Sequence, residues 1–443
     1  MIEFDKNEFA QRRQKLLNKM LPNSICVVPS SALVTRSRDT EFPFRQDSYF
    51  AYLSGFPEPE AYLVLTNSCD YPNGLSVLFC QGKDPSVEMW QGKRIGPRKA
   101  KRDFGFDIAF DNEELDERLL ELINGHEQLY FALGANQECE ERLLECVEQL
   151  RNAPKQSQTA PSSIVDPRAI LDEMRLFKSL YEQKIMRTAG QISAQAHIRA
   201  MGFAKPERFE YQLEAELHHE FAMQGAKHPA YSTIVGSGEN ACILHYTENS
   251  AELKEGELVL IDAGCELNGY AADITRTFPV SGRFSQAQRQ LYQLVLDAQL
   301  AALECIKPGR TISEASAAAI EVITAGLLDL GFLKGSLADN ITGQHYRPFF
   351  MHGLSHWLGL DVHDVGNYKV ADRDRPFEAG MVLTVEPGVY VASDAPVAEH
   401  WRGIGIRIED NVLITVTGHE ILTKDVPKGI SEIETLMATK TVS

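Results

Sequence analysis

Apolar and polar residues follow two spacings along the chain, and each spacing predicts one kind of element. In residues 1–20 apolar side chains recur every three or four positions between charged ones, which predicts an amphipathic helix. The same spacing predicts a helix over residues 113–125. Short apolar runs predict strands over residues 61–67 and 75–82. The first third of the chain is therefore expected to form a mixed α/β domain.

The rest of the chain alternates long helical segments with strand-like ones. Helical spacing covers residues 176–200 and 209–224. Two further helix starts carry the capping-box pattern, a Ser or Thr three residues before a Gln or Glu: Ser285 with Gln288, and Thr311 with Glu314. The strand-like segments come in pairs: ELVLIDAG with YAADITRTFPV, and GMVLTVEPGVY with IGIRIEDNVLIT. This order predicts an α+β domain.

A change in composition marks the boundary between the two parts. Residues 152–168 are polar, contain three prolines and show no apolar period. Such a segment is typical of a linker or of a strand that crosses between domains. With 443 residues, the chain also exceeds one average core. We therefore predict a smaller domain over residues 1–172 and a larger one over residues 173–443.

Two strand segments of the larger domain repeat one pattern. Residues 256–264 and 380–388 each consist of Gly, five residues, a carboxylate, one residue and Gly. The carboxylates are Asp262 and Glu386, and each ends an otherwise apolar strand. Burying an unpaired carboxylate is costly, so each acid is expected to have a partner. The repeat predicts two related halves that each contribute one such acid.

Each half also supplies a second acid. Asp273 follows Asp262 after the turn residues ELNG, and the spacing predicts that the two acids lie nearly opposite each other on antiparallel strands. Glu386 and Glu409 are predicted to form the second pair, also on strands. Between the pairs, HGLSHWLGLDVHD contains three of the 12 histidines of the chain: His352, His356 and His363. A single histidine is usually a core residue, whereas three in one short window indicate a site.

Charge and composition restrict the function classes. The chain has 44 basic and 62 acidic residues, a net charge of −18, which repels phosphate backbones and anionic lipids, so nucleic-acid and membrane binding are not expected. No apolar run approaches the roughly 20 residues of a membrane-spanning helix, and residues 1–20 lack a signal-peptide core. The eight cysteines form no CxxC pair, which favours reduced thiols in a cytoplasmic protein.

Four carboxylates and one histidine form a hard donor set rich in oxygen. Such sets suit Mn²⁺, whereas sites rich in Cys or His favour Zn²⁺. Because four acids exceed what one ion needs, two divalent ions bridged by carboxylates and a shared water or hydroxide are expected. Such a site activates the water and polarises a carbonyl, which indicates hydrolysis.

The chain resembles a known family through four motifs: FPFRQDSYFAYLSGFPEPEAYLVL, HGLSHWLGLDVHD, TVEPGVY and GIGIRIEDN. These resemble the M24-type pita-bread metallopeptidases, which include methionine aminopeptidase, prolidase and aminopeptidase P, and most closely the bacterial aminopeptidase P (Xaa-Pro aminopeptidase) group. The resemblance covers nearly the whole chain. It implies a pita-bread domain of two pseudo-symmetric halves, preceded by a smaller α/β domain concerned with oligomerisation and access to the site. It also implies a homo-oligomer, with a tetramer expected.

The implied activity is metal-dependent release of the N-terminal residue from peptides with proline in second position, by attack of a metal-bridging water or hydroxide. The resemblance assigns the metal ligands residue by residue: Asp262 on one ion, His356 and Glu386 on the other, with Asp273 and Glu409 bridging. Glu386 would also handle the proton of the attacking water. The implied hydrogen-bond donors to the scissile carbonyl and oxyanion are His245, His352 and His363. Those implied to orient the carboxylates are Tyr390 and Arg407.

Three alternative functions remain open on the same fold. Prolidase uses the same metal site but cleaves only Xaa-Pro dipeptides. A non-catalytic peptide-binding module and a creatinase-like hydrolase are the others, and both are disfavoured because all five ligand candidates are present. Trp90, flanked by charges in the first domain, either packs internally or closes over the site of a neighbouring subunit.

Overall fold

In a computed structural model, which describes residues 3–440, the chain divides into two compact units after Arg175. The sequence placed this boundary after residue 172. Residues 152–168 lie wholly within the first unit and supply a strand to its sheet, so they are not a linker. No helix among the described residues has both the length and the apolar character needed to cross a membrane.

The first unit is a mixed α/β domain built on one six-stranded sheet. Its elements are α1 (Lys6–Lys19), β1 (Ser24–Pro29), β2 (Thr35–Ser37), β3 (Thr40–Glu41), α2 (Ser48–Ser54), β4 (Tyr62–Thr66), β5 (Leu75–Cys80), α3 (Pro85–Gln91), α4 (Pro97–Phe104), β6 (Ile108–Asp111), α5 (Leu115–Ile123), β7 (Gln128–Tyr130), α6 (Gln137–Arg151), β8 (Ser163–Val165) and α7 (Arg168–Leu176). The sheet order is β6-β5-β4-β1-β7-β8, and β2 with β3 forms a separate hairpin. The predicted first helix and the two predicted strands are confirmed.

The second unit is α+β, as predicted. Its elements are α8 (Leu180–Phe203), α9 (Glu210–Met223), β9 (His228–Pro229), β10 (Ile234–Ser237), β11 (Leu258–Asp262), β12 (Cys265–Leu267), β13 (Tyr270–Ala271), β14 (Thr275–Pro279), α10 (Gln286–Cys305), α11 (Ile312–Asp329), α12 (Leu337–Thr342), β15 (Lys369–Val370), β16 (Arg373–Asp374), β17 (Val382–Val385), β18 (Gly388–Val391), β19 (Ile404–Arg407), β20 (Asp410–Ile414), β21 (His419–Ile421) and α13 (Ile430–Lys440).

The strands of this unit form two similar antiparallel hairpins, each interrupted in the middle. In the first, β11 pairs with β14, and after a break β12 pairs with β13. In the second, β17 pairs with β20, and after a break β18 pairs with β19. One apolar core spans both hairpins and includes Val259 and Ile261 of β11 and Leu383 and Val385 of β17. The two predicted halves are therefore present, and the breaks leave room for polar side chains.

Capping residues determine where the long helices begin. Both predicted capping boxes are present, at the starts of α10 and α11. A third capping box lies at the start of α8: the Ser179 side chain accepts from the Glu182 backbone N–H, and the Glu182 side chain accepts from the Ser179 N–H. The helix predicted over residues 176–200 is therefore confirmed as α8, Leu180–Phe203, which begins four residues later than expected.

Candidate metal centre

The turn of the first hairpin sets the positions of its two acids. Asn268 and Gly269 have φ values of 50° and 85°, so they form a type I′ turn, which only such residues adopt readily. This turn aligns Asp262 with Thr275, and Asp273 lies two residues from the position opposite Asp262. The two acids are therefore nearly opposite each other, as expected, with a shift of two residues. Because that shift is even, both acids still face the same side of the hairpin.

Asp262 and Asp273 converge on a residue that the sequence analysis missed. The Tyr231 hydroxyl lies 2.6 Å from Oδ1 of Asp262 and 2.5 Å from Oδ1 of Asp273. Tyr231 belongs to the loop between β9 and β10, and nothing in its local sequence marks it as a site residue. Burial, followed by the charges of the two aspartates, raises the pKa of Tyr231 far above its usual value. Tyr231 therefore remains a phenol.

The second hairpin places its acids opposite each other. β17 with β20 and β18 with β19 share one register, in which Glu386 falls opposite Glu409. Both acids lie in the break between the paired segments and not on strands, which corrects that expectation. The Thr384 hydroxyl donates to Oε1 of Glu386 at 3.2 Å, and the Thr275 hydroxyl donates to Oε2 of Glu409 at 2.7 Å. Neighbouring hydroxyls thus fix the orientation of each carboxylate.

His356 is held beside β17 by its backbone. The Thr384 N–H donates to the His356 carbonyl at 3.0 Å, and the His356 N–H donates to the Thr384 hydroxyl at 3.1 Å. Its ring Nδ1–H donates to the Trp357 carbonyl at 3.0 Å. Nε2 therefore points at the acids, 3.5 Å from Oδ2 of Asp273 and 3.4 Å from Oε1 of Glu386. This is the arrangement by which a second-sphere carbonyl orients a metal-binding imidazole.

All five predicted ligands line one cavity of about 270 Å³: Asp262, Asp273, His356, Glu386 and Glu409. Three of these residues, Asp273, His356 and Glu409, offer ligand atoms that all lie within 4.8 Å of one another. His245, His352, His363 and Arg407 line the same cavity. The folded chain thus brings together residues that lie more than 140 positions apart in the sequence.

Burial and mutual repulsion shift the pKa values of these groups. Burial raises the pKa of Asp273 to about 6, and the charge of Asp262 adds to the rise. Burial likewise raises the pKa of Glu386 to about 8 and that of Glu409 well above its usual value. Burial lowers the pKa of His356, but its hydrogen bond to Asp273 and the nearby acids outweigh this and raise it to about 9. The carboxylates thus lie as close to one another as they would around a bound cation.

The donor set fits hard divalent cations. Four carboxylates and one imidazole nitrogen converge on the cavity, and the described cysteines line none of it. Oxygen-rich sets of this kind suit Mn²⁺, Mg²⁺ and related ions better than a soft metal. A bound cation would also remove the repulsion that raises the acid pKa values.

A series of hydrogen bonds beside the acids contains three further site candidates: Arg407, Tyr390 and His352. Nη2 of Arg407 donates to Oδ2 of Asp262 at 2.8 Å, and Nη1 donates to the Tyr390 hydroxyl at 2.9 Å. The Tyr390 hydroxyl then donates to Nε2 of His352 at 2.8 Å, and Nδ1 of His352 donates to the Gly353 carbonyl. Both ring nitrogens of His352 therefore have partners in the protein. This differs from the expected role of His352 as a donor to substrate, which would need a free N–H.

His245 and His363 are the exposed histidines of the cavity. The His363 ring centroid lies 4.2 Å from that of His356. Burial, followed by the nearby His356 and His245, lowers the pKa of His363. An exposed imidazole N–H in this cavity can donate a hydrogen bond to a carbonyl oxygen.

Trp90 belongs to the first unit and has no internal packing. It lies on α3, none of whose residues is buried, and 87% of its surface is exposed; Met89 beside it is 79% exposed. Internal packing, one of its two predicted alternatives, is therefore wrong.

Comparison with protein-family models matches residues 184–416 to "Metallopeptidase family M24". The chain belongs to this family. Residues 9–130 match the N-terminal domain of aminopeptidase P. Both matches agree with the family resemblance drawn from the motifs.

Relatives within the family align over the full chain. Xaa-Pro aminopeptidase of Escherichia coli is 51% identical over 99% of this chain and 99% of its own. The structure of Pseudomonas aeruginosa aminopeptidase PepP superposes with a TM-score of 0.98 at 49% identity, covering 100% of both chains. A variant of E. coli aminopeptidase P solved in complex with substrate superposes with a TM-score of 0.97 at 50% identity, covering 100% of both chains. The fold of this M24 metallopeptidase is therefore that of aminopeptidase P.

Proposed function

We propose that this protein is a metal-dependent aminopeptidase that releases the N-terminal residue from peptides with proline in second position. One observation supports this above the others: four carboxylates and His356 line a single cavity. The chain that carries this cavity is similar over 99% of its length to an Xaa-Pro aminopeptidase. Proline has no backbone N–H, so its peptide bond needs an enzyme that does not depend on that group.

Five residues would hold two divalent cations: Asp262, Asp273, His356, Glu386 and Glu409. When bound, the cations supply Lewis acidity to the scissile carbonyl and lower the pKa of the attacking water. We assign Mn²⁺ on the basis of the oxygen-rich donor set. Metal analysis after loading the purified protein should approach two ions per chain, and full activity with no bound metal would overturn the assignment.

The protein's own groups carry the remaining steps. The Glu386 carboxylate accepts the proton of the attacking water. His245 and His363 donate hydrogen bonds to the carbonyl oxygen as it gains negative charge. Arg407 holds Asp262 in place at 2.8 Å and donates to the Tyr390 hydroxyl, which in turn donates to His352.

An assay of chain-length preference tests the activity. The Mn²⁺-loaded protein should cleave the Xaa–Pro bond both in Xaa-Pro dipeptides and in longer Xaa-Pro-Xaa peptides, but not the matching Xaa-Ala peptides. Cleavage of dipeptides alone would make the protein a prolidase. Absence of cleavage with two ions bound would make it a binding module.

We also propose that the protein self-associates, as a tetramer, in the cytoplasm. The first domain, residues 1–172, would mediate this association and control access to the site. The exposed Met89 and Trp90 of α3 supply an apolar surface for a second copy. All eight cysteines are free, in keeping with a reducing compartment.

A further inference from the structure

A buried hydroxyl lies between the acids of the two hairpins. Thr275 is the first residue of β14, is aligned with Asp262 across the hairpin, and is 0% exposed. Its backbone carbonyl accepts from the Glu409 N–H at 3.0 Å. Thr275 therefore belongs to the first half by sequence and contacts the second half directly.

The donors around Thr275 determine where its proton goes. Nε of Arg407 donates to the Thr275 Oγ1 at 3.1 Å, and a guanidinium has no acceptor to offer in return. The hydroxyl proton is thus available to the remaining neighbour, Oε2 of Glu409, at 2.7 Å. The hydroxyl therefore accepts from the arginine and donates to the glutamate.

The result is one continuous series of hydrogen bonds between two carboxylates. Asp262 accepts from Arg407, Arg407 donates to Thr275, and Thr275 donates to Glu409. All four side chains are largely buried. Asp262 is the most exposed of them, at 14%, and Arg407 is 5% exposed. Such series hold their members in one orientation, because turning one carboxylate breaks a buried hydrogen bond.

We propose that Thr275 is a positioning residue that sets the orientation of Glu409 relative to Asp262, and so the geometry with which the two halves share divalent cations. The inference rests on the proposed function, because it concerns the same cavity. Hydrogen bonds from outer residues to metal-binding carboxylates commonly change metal affinity about 10–100-fold.

The chain contains a matched control two residues away. Thr277 lies on the same strand, is also 0% exposed, and contacts the same arginine. Its hydroxyl donates to the Arg407 carbonyl at 3.1 Å and accepts from the Arg407 N–H at 3.2 Å. Within residues 3–440 this hydroxyl makes no hydrogen bond to a carboxylate, so removing it tests the loss of a buried hydroxyl alone.

The experiment titrates metal-free protein with Mn²⁺ by calorimetry and records the thermal midpoint of each metal-free variant. Thr275→Val should bind Mn²⁺ about 10–100-fold more weakly than the wild type. If the Thr275→Val protein folds poorly, Thr275→Ala takes its place and should show the same loss of Mn²⁺ affinity. Thr275→Ser keeps the hydroxyl and should restore the affinity to within a few-fold. Thr277→Val should bind as the wild type does, with a comparable drop in thermal midpoint.

Two results would overturn the role of Thr275 alone. One is wild-type Mn²⁺ affinity in both Thr275→Val and Thr275→Ala. The other is an equal loss of affinity in Thr275→Val and Thr277→Val, which would assign the effect to strand packing. A wild-type protein that binds no Mn²⁺ would instead overturn the proposed function, and the role of Thr275 with it.

Discussion

The proton binding of single residues in this cavity depends on the buried acids that surround them. Glu386 has its pKa raised to about 8 chiefly by burial, and His356 has its pKa raised to about 9 because acids surround it. Without a cation these groups hold protons in place of metal. A change of charge at one position therefore alters the proton and metal binding of the others.

Glu386→Gln is expected to abolish turnover while leaving the fold intact. Glutamine keeps the shape of the side chain but lacks the charge that holds a cation and the basicity that takes a proton. Loss of a general base alone costs about 10²–10⁴-fold in rate. Metal content should fall, and the thermal midpoint of the metal-free protein should rise, because glutamine avoids the cost of burying an acid whose pKa is raised to about 8 there.

The control is Glu321→Gln, an exposed acid on α11. Glu420 is unsuitable as a control because it pairs with Arg187 at 2.7 Å. Turnover, bound metal and thermal midpoint should be measured for both variants. Near-normal turnover in Glu386→Gln would rule out its roles as ligand and base.

His245→Ala and His363→Ala should lower turnover without removing metal. Both residues are exposed at the cavity and are placed to donate to the oxyanion, a contribution worth about 10²–10³ in rate in other hydrolases. His219→Ala, an exposed histidine on α9, is the control. Metal loss in either cavity variant would reassign that histidine as a ligand.

At the scale of elements, the function depends on hairpins that are broken where the acids lie. Gly264 follows the end of β11, and a Cβ built there would lie 1.7 Å from the Ala272 carbonyl oxygen. The two strands of the hairpin can approach this closely only because Gly264 has no side chain. Their separation in turn sets the distance between Asp262 and Asp273.

Gly264→Ala should therefore push the hairpin apart. We expect a loss of about 1–3 kcal/mol in the free energy of unfolding, together with weaker Mn²⁺ binding. Gly418→Ala is the control, since a Cβ there meets nothing within 4 Å. Calorimetric titration and chemical denaturation of both variants test this; unchanged metal affinity in Gly264→Ala would contradict it.

At the scale of the whole molecule, the site makes metal-free stability depend on pH. The pKa of Glu386 rises from 4.5 to about 8 on folding, and that of His356 from 6.5 to about 9. Both groups hold protons more tightly when folded, so between pH 6.5 and 8 unfolding releases protons and stability falls as pH rises. Below pH 6.5, His352 and His197, whose pKa values fall to about 4, act in the opposite direction.

The thermal midpoint of EDTA-treated protein should accordingly decrease from pH 6.5 to pH 8. The increase in midpoint on adding Mn²⁺ should grow over the same range, because metal binding requires the deprotonated groups. Glu386→Gln should show a shallower decrease. A midpoint of the metal-free wild type that rises across this interval would refute the charge arrangement described for the cavity.

Self-association should depend on the exposed apolar end of α3. Trp90→Ala is expected to shift the protein toward smaller species in sedimentation velocity, with an unchanged unfolding free energy of the separated chain, because Trp90 is 87% exposed. Exposed Leu300 on α10, at 46% exposure, gives the control Leu300→Ala. An unchanged distribution of species in Trp90→Ala would exclude α3 from the interface.

Features that depend on neighbouring residues could be predicted from the sequence. The capping boxes of α10 and α11 and the turn at Asn268 and Gly269 follow from short segments. Local hydrogen bonds and backbone preferences decide such features, so the residues needed to predict them lie side by side in the chain.

Other features depend on segments that meet only in the folded chain. Tyr231 reaches both Asp262 and Asp273 from a loop with no local signal. Likewise, one hydrogen-bond partner of His352 is Tyr390, which lies 38 residues away in the sequence. The sequence by itself predicted the five candidate metal ligands and determined where most helices and strands form. Only the tertiary structure decided which atoms face one another, because register, burial and mutual repulsion are properties of packed segments and not of any one of them.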